Sequence, residues 1–257
     1  MRKIFQRALV GAYAAVVAIT APAVAPAATA SAASGVPAAA AGVVSVSPAE
    51  GETVGVAFPV TVRFAAPVAD RAAAQQSVTF STSGPHTPEG SFRWLDDATM
   101  RWTPTGYWPS HETVTVVAAG FPRKFRTGAQ VLAVASISAH TFTVKIDGKV
   151  VKTMPASMGR PKHPTPVGSF TTLEKQNPVV MDSRTIGIPL NSPEGYKLTV
   201  YDAVRLTWGG VYVHAAPWSA ASQGKANVSH GCINLSTDNA AWYYNTVGIG
   251  DPVIIQA

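Results

Sequence analysis

Ser229-His230-Gly231-Cys232-Ile233-Asn234 holds the only cysteine of the 257-residue chain. A short way upstream, the apolar alternation Val211-Tyr212-Val213 ends in His214. A thiol, two imidazoles, a glycine and an amide side chain in so short a span are the parts of a thiolate acyl-transfer site. A cysteine attacks only as thiolate, and its ordinary pKa of about 8.5 leaves little thiolate at neutral pH. A nearby imidazole can take that proton and hold an ion pair. Gly231 allows a tight bend and close approach of a substrate. Backbone N–H groups around Gly231 and Cys232 are then placed to face a developing oxyanion. The competing reading is a small buried cysteine in a strand. Apolar burial, however, calls for neither a His-Gly step before the thiol nor an amide after it.

The segment Tyr212-Val213-His214-Ala215-Ala216-Pro217-Trp218, followed by Ser229-His230-Gly231-Cys232-Ile233-Asn234, resembles the signature of the L,D-transpeptidase family: a His, a spacer, then Ser/Thr-His-Gly-Cys-x-Asn. The similarity runs from about Thr141 to the C-terminus. It takes in Met154-Pro155-Ala156-Ser157-Met158-Gly159, Met181-Asp182-Ser183, Asn191-Ser192-Pro193 and Gly195-Tyr196. More loosely, the preceding region resembles the immunoglobulin-like module found before this catalytic domain in some members. The resemblance implies Cys232 as nucleophile, His214 as its proton acceptor and donor, and the Ala215 carbonyl as partner of the other His214 nitrogen. It implies His230 as support for the oxyanion or the loop, with Ser229 positioning His230 and Gly231 forming the bend. It further implies substrate contacts from Met181, Tyr196, Trp218 and Asn234, and from the backbone at Gly209 and Gly210. Ile186 stands where members often carry an aromatic, which bears on the outer cleft.

The implied reaction is ping-pong acyl transfer on peptidoglycan stem peptides. A tetrapeptide donor acylates Cys232, and an amine acceptor resolves the thioester into a 3→3 cross-link. Carbapenem β-lactams are implied inhibitors, and neither a cofactor nor a metal is called for. The same acyl-enzyme also suits anchoring a protein to the wall, or hydrolysis as a carboxypeptidase. From another class, a wall-binding module with a spent site remains an alternative.

Residues 1–33 read as an export signal. Arg2, Lys3 and Arg7 make a basic start, Ala8 to Ala21 an uncharged run, and Ala30-Ser31-Ala32 a small-residue cleavage pattern. Proline breaks the run too soon for a comfortable membrane span, though an uncleaved anchor stays open. The expected location is the cell envelope or beyond, in an oxidising setting where one cysteine forms no internal disulfide. Ser34 to Gly42 is an Ala/Ser/Gly/Pro tether.

Charged residues are 13% and hydrophobic ones 47%, which excludes a disordered chain. The net charge is +6, of which Arg2, Lys3 and Arg7 carry three. The balance is mild for a nucleic-acid partner, and the one dense basic patch, Arg123-Lys124-Phe125-Arg126, is short. A monomer is expected.

The predicted fold is mostly β. Residues 43–130 form an immunoglobulin-like β-sandwich of short strands, among them Val60-Thr61-Val62-Arg63-Phe64, with Trp94, Trp102, Tyr107 and Trp108 as core and edge aromatics. Phe121 to Gly128 is a basic connection. Residues 131–257 form a β-rich catalytic domain with one or two short helices. Asp147-Gly148 turns a hairpin there. His163 sits solvated in a proline-rich loop, and His86, His111, His140 and His163 are too scattered for a metal site. The turn-rich stretch Gln176 to Tyr196 is long enough to be functional, and the family resemblance implies a lid or hairpin there over the cleft. A helix follows Ser236 or Thr237 and stops at Gly248, with Trp242 in the core.

Overall fold

The computed structural model describes residues 42–257. The export signal and all of the tether except Gly42 lie outside the described residues.

Alternating valines and aromatics build the first half. Strands β1 (Val43–Ser47), β3 (Val60–Phe64), β5 (Gly90–Trp94) and β6 (Thr99–Pro104) form one sheet in the order β1-β3-β6-β5. Strands β2 (Thr53–Val54), β4 (Val78–Thr82), β7 (Thr113–Ala118) and β8 (Phe121–Thr127) form a second, ordered β2-β8-β7-β4. A short helix, α1 (Arg71–Gln76), is capped by Asp70, whose side chain accepts from the Ala73 N–H. Val62, Phe64, Met100, Trp102, Trp108, Val114 and Phe125 fill the space between the sheets. Trp102 and Trp108 are core residues, both buried with their rings 4.9 Å apart, while Trp94 packs partly buried against that core.

The basic segment from Phe121 is a strand, which corrects its reading as a connection. Residues Phe121 to Arg126 of β8 pair antiparallel with β7. Phe125 and Thr127 point inward and are buried, while Lys124 and Arg126 point outward. Period-two burial governs here: Lys124 and Arg126 occupy the solvent face, while Arg123 shares the face of Phe125 and is partly buried, its guanidinium 3.7 Å from Glu50.

The second half has two sheets and a hairpin. Strands β9 (Val131–Ser136), β10 (Thr141–Ile146), β11 (Lys149–Pro155), β12 (Gly168–Thr171) and β19 (Pro252–Gln256) run in the order β11-β10-β9-β19-β12. Strands β13 (Glu174–Gln176), β16 (Ala203–Arg205), β17 (Tyr212–Ala215) and β18 (Ile233–Leu235) run β13-β16-β17-β18. Strands β14 (Val179–Asp182) and β15 (Lys197–Val200) pair with each other. The β10–β11 hairpin turns at Asp147 and Gly148, both with positive φ (48° and 80°). Two such residues make the type I′ turn that matches strand twist.

Helix α2 (Thr237–Thr246) is capped by Ser236, whose Oγ accepts from the Asn239 N–H. It buries Ala240 and Tyr243, spaced i, i+3 on one face. Tyr243 packs edge-on against Phe142 at 4.8 Å. Trp242, expected in the core, is only partly buried at its margin, under the Lys152 ammonium. Phe142, Val144, Met154, Met158, Val213, Ile233, Val253 and Ile255 complete the core. No helix among the described residues is long and apolar enough to cross a membrane.

Candidate active site

Strands β17 and β18 run parallel, in the register Val213↔Ile233, His214↔Asn234, Ala215↔Leu235. A parallel pair cannot be joined by a tight turn, so residues 216–232 form the crossover that returns the chain to the same end of the sheet. That explains the spacer between the two sequence motifs. Continuing the register by one step sets Cys232 level with Tyr212. Tyr212, His214, Cys232 and Asn234 therefore share one face of the sheet, while Val213 and Ile233 enter the core on the other.

His214 is buried. Its Nδ1 lies 2.9 Å from the Ala215 carbonyl oxygen. A carbonyl only accepts, so Nδ1 carries the proton and Nε2 keeps its lone pair. Burial holds the ring's pKa down to about 4, against a smaller opposing effect of the Ala215 hydrogen bond. His214 is neutral at pH 7, with a free basic nitrogen.

Cys232 is half-buried, and its Sγ–H donates to the Gly210 carbonyl at 3.5 Å. Burial pushes the thiol up to about 11. The resting site is thus a neutral thiol beside a neutral imidazole, and the thiol's hydrogen bond goes to backbone.

The turn into Cys232 is clamped by Ser229. Its hydroxyl donates to Cys232 O at 2.7 Å and accepts from the Gly231 N–H at 3.0 Å. Ser229 was expected to hydrogen-bond His230; its hydroxyl instead shapes the turn by bonding the backbone of Gly231 and Cys232. The Gly231 N–H, expected to face the oxyanion, is already engaged. Gly231 has φ +120°, a conformation that glycine adopts without strain. Thr165 Oγ1 donates to Gly231 O at 2.9 Å from across the site.

His230 Nε2 lies 2.8 Å from Arg160 Nη2. Its ring packs between His163 and Tyr196, each centroid 5.0 Å away. His163 is thus no solvated loop residue. It lines the back of His230, with Nε2 3.4 Å from Glu194 Oε2.

A cavity of about 390 Å³ opens over this face, and Met181, Tyr196, His214, Trp218, His230, Cys232 and Asn234 are all in its wall. Trp218 is largely exposed at the rim, its ring 6.0 Å from that of His214. Asn234 is buried, and its amide donates to Ser219 Oγ at 3.2 Å, which braces the crossover. Behind the β14–β15 hairpin lies a second cavity of about 280 Å³, lined by Ile186, Gly209 and Gly210, with Met181 and Tyr196 shared between the two. The turn-rich stretch is therefore a two-stranded flap between two openings. Among the described residues, no cluster of His, Cys, Asp or Glu is placed to hold a metal.

Arg160, Thr165, Glu194, Ser219 and Gln223 escaped the sequence reading. Only the His-Gly-Cys turn they surround is marked there.

Comparison with known proteins fits this geometry. Residues 130–255 match the YkuD family, the L,D-transpeptidase catalytic domain. Over 209 residues the chain is 58% identical to L,D-transpeptidase 1 of Mycobacterium tuberculosis, covering 81% of this chain and 82% of that protein. The chain belongs to the L,D-transpeptidase family. Residues 13–119 match a bacterial Ig domain, so an immunoglobulin-like domain precedes the catalytic fold. A solved L,D-transpeptidase from Mycobacterium smegmatis is 62% identical, covers 84% of this chain and 98% of its own, and superposes with a TM-score of 0.79. The L,D-transpeptidase LdtMt1 in complex with imipenem is 58% identical over 83% of this chain and 98% of its own, with a TM-score of 0.77.

Proposed function

We propose that this L,D-transpeptidase cross-links peptidoglycan stem peptides through a thioester on Cys232. The observation that carries the reading is the shared face: Cys232 and His214 line one cavity, with Nδ1 of His214 pinned to backbone and Nε2 left basic. A tetrapeptide stem enters, and the thiol leaves the Gly210 carbonyl and gives its proton to His214 Nε2 as Sγ attacks the carbonyl of the third residue. The tetrahedral intermediate collapses, the C–N bond to the terminal D-residue breaks, and the departing amine takes the proton from His214. An amine of a second stem then attacks the thioester and passes its proton to His214. The C–S bond breaks, and the thiolate recovers that proton. His230, on the same cavity wall, supplies a side-chain donor for the oxyanion, since the Gly231 N–H is taken by Ser229.

The division proposed is an immunoglobulin-like unit at residues 43–130 and a catalytic unit at 131–257; two separate cores on either side support it. The order of residues 1–33, a basic start, an apolar run and a small-residue pattern, supports export to the cell envelope. The relative bound to imipenem suggests carbapenems as acylating inhibitors here.

Intact-mass spectrometry after mixing with imipenem tests the nucleophile. One adduct per chain is expected, and none with Cys232→Ala. An adduct that survives the substitution refutes the thioester. Walls digested after incubation with the protein should contain 3→3 dimers. Trimmed tripeptides without dimers would identify a carboxypeptidase, and wall-linked protein an anchoring enzyme.

A further inference from the structure

The densest charge cluster near the site lies behind His230. Arg160 sits on the connection that leaves β11, and its backbone N–H donates to Ser229 O at 3.1 Å. Its Cα is thereby tied to the turn that carries His230. Gly159, just before it, accepts no side chain, because a Cβ there would meet the His163 carbonyl oxygen at 2.2 Å. From this fixed base the guanidinium Nη2 reaches two acceptors, His230 Nε2 at 2.8 Å and Glu194 Oε1 at 2.7 Å. Glu194 comes from the loop between β14 and β15, and its other oxygen takes Lys162 Nζ at 2.8 Å. Two residues further on, Tyr196 lines the cavity.

We infer that Arg160 and Glu194 are positioning residues: the guanidinium holds His230 as its Nδ1–H tautomer, and the carboxylate holds the guanidinium. The consequence for rate rests on the acyl transfer proposed above; the tautomer does not.

An arginine has no acceptor, so a nitrogen 2.8 Å from it must present a lone pair. His230 therefore carries its proton on Nδ1. The groups facing its ring are Arg160, Lys162, His163, Glu194 and Tyr196. Burial, then Arg160 and His163, hold its pKa below the ordinary histidine range, and Glu194 pulls the other way. The two histidines of the site are thus set apart. His214 keeps Nε2 free to move a proton, while His230 has Nε2 engaged and serves as a fixed neutral donor.

Side-chain nitrogen NMR of the full chain across pH tests this, with His230→Asn to assign the signals. The expected wild-type result is an unprotonated Nε2 at neutral pH. Arg160→Gln should raise the His230 pKa and admit the Nε2–H tautomer. Glu194→Gln should lower the pKa, and Arg160→Lys should keep the wild-type tautomer. Opposite signs from the two members of one ion pair would not arise if the pair only braced the loop. Imipenem acylation in Arg160→Gln should slow about tenfold, the scale of one lost charge-assisted hydrogen bond. A protonated Nε2 in the wild type, or pKa shifts absent or of one sign in variants that melt normally, would overturn the proposal. Failure of the wild type to form any adduct strikes the acyl-transfer reading, and the nitrogen spectra still decide this one.

Discussion

Both halves of the protein are packed β-sheets, yet they bury different things. Among the described residues of the first half, Thr127 is the one buried polar side chain. The second half buries ten, including Ser157, His214, Ser219, Gln223, Ser229 and Asn234. A buried polar group costs about 1–3 kcal/mol if left without a partner. Nearly all of these have one. Ser157 Oγ donates to Ala226 O at 2.7 Å, and Gln223 Nε2 to Ala216 O at 3.1 Å. Most of the bonds brace the crossover between β17 and β18. The first half packs an almost wholly apolar core, whereas the second accepts polar burial that holds one turn and one imidazole in place.

The contrast is most open to attack at His214. His214→Ala should slow acylation by imipenem by about 10²–10⁴-fold, the usual worth of a placed base. Stopped-flow or mass-resolved time courses would measure it, and a loss below threefold would mean that the buried imidazole is structural. Next comes the apolar half. Trp108 is buried and its Nε1 donates to Phe58 O at 2.9 Å. Trp108→Ala should cost about 3–5 kcal/mol of stability by denaturant melt. The acylation rate of the folded fraction should stay unchanged. A matching loss of rate would show that the two cores are not separable in function.

The smallest effect concerns Asp251, which is buried, with Oδ2 accepting from the Gly248 N–H at 2.7 Å and Oδ1 without a partner. Burial, set against backbone donors and Lys175, pushes its pKa up to about 7. A raised folded pKa favours the protonated native form, so this contribution is complete below about pH 4 and is lost as pH rises through about 7. His214 has the opposite sign: its folded pKa is depressed to about 4, so its contribution is present above about 6.5 and is lost as pH falls toward 4. The two slopes oppose each other. Asp251→Asn removes one, and thermal melts between pH 4 and 7 should then rise more steeply with pH than those of the wild type. Parallel curves would exclude Asp251 as the opposing group.

The same contrast explains what was readable from residues alone. Asp147-Gly148 announced its hairpin because the turn requires positive φ at both positions. Tyr212-Val213-His214 announced a strand because its neighbours alternate. Phe121–Thr127 did not, since Arg123, Lys124 and Arg126 obscured a period-two pattern whose buried members are Phe125 and Thr127. Arg160 was silent for another reason. Its partners are 34 and 70 residues away, and only the folded sheets bring Glu194 and His230 to it. His163 was misread on the same ground. A motif records the atoms that react, whereas the side chains that hold them in place are spread along the chain.

The hydrogen bond from the cysteine to the Gly210 carbonyl has a consequence for durability. Oxidants and alkylating agents act on thiolates, and their attack follows thiolate content and exposure. A sulfur that holds its hydrogen on a backbone oxygen, at a pKa near 11, offers them little. On the proposed reaction, the sulfur stays in its inert protonated form until a ligand that fits the cleft draws the hydrogen away.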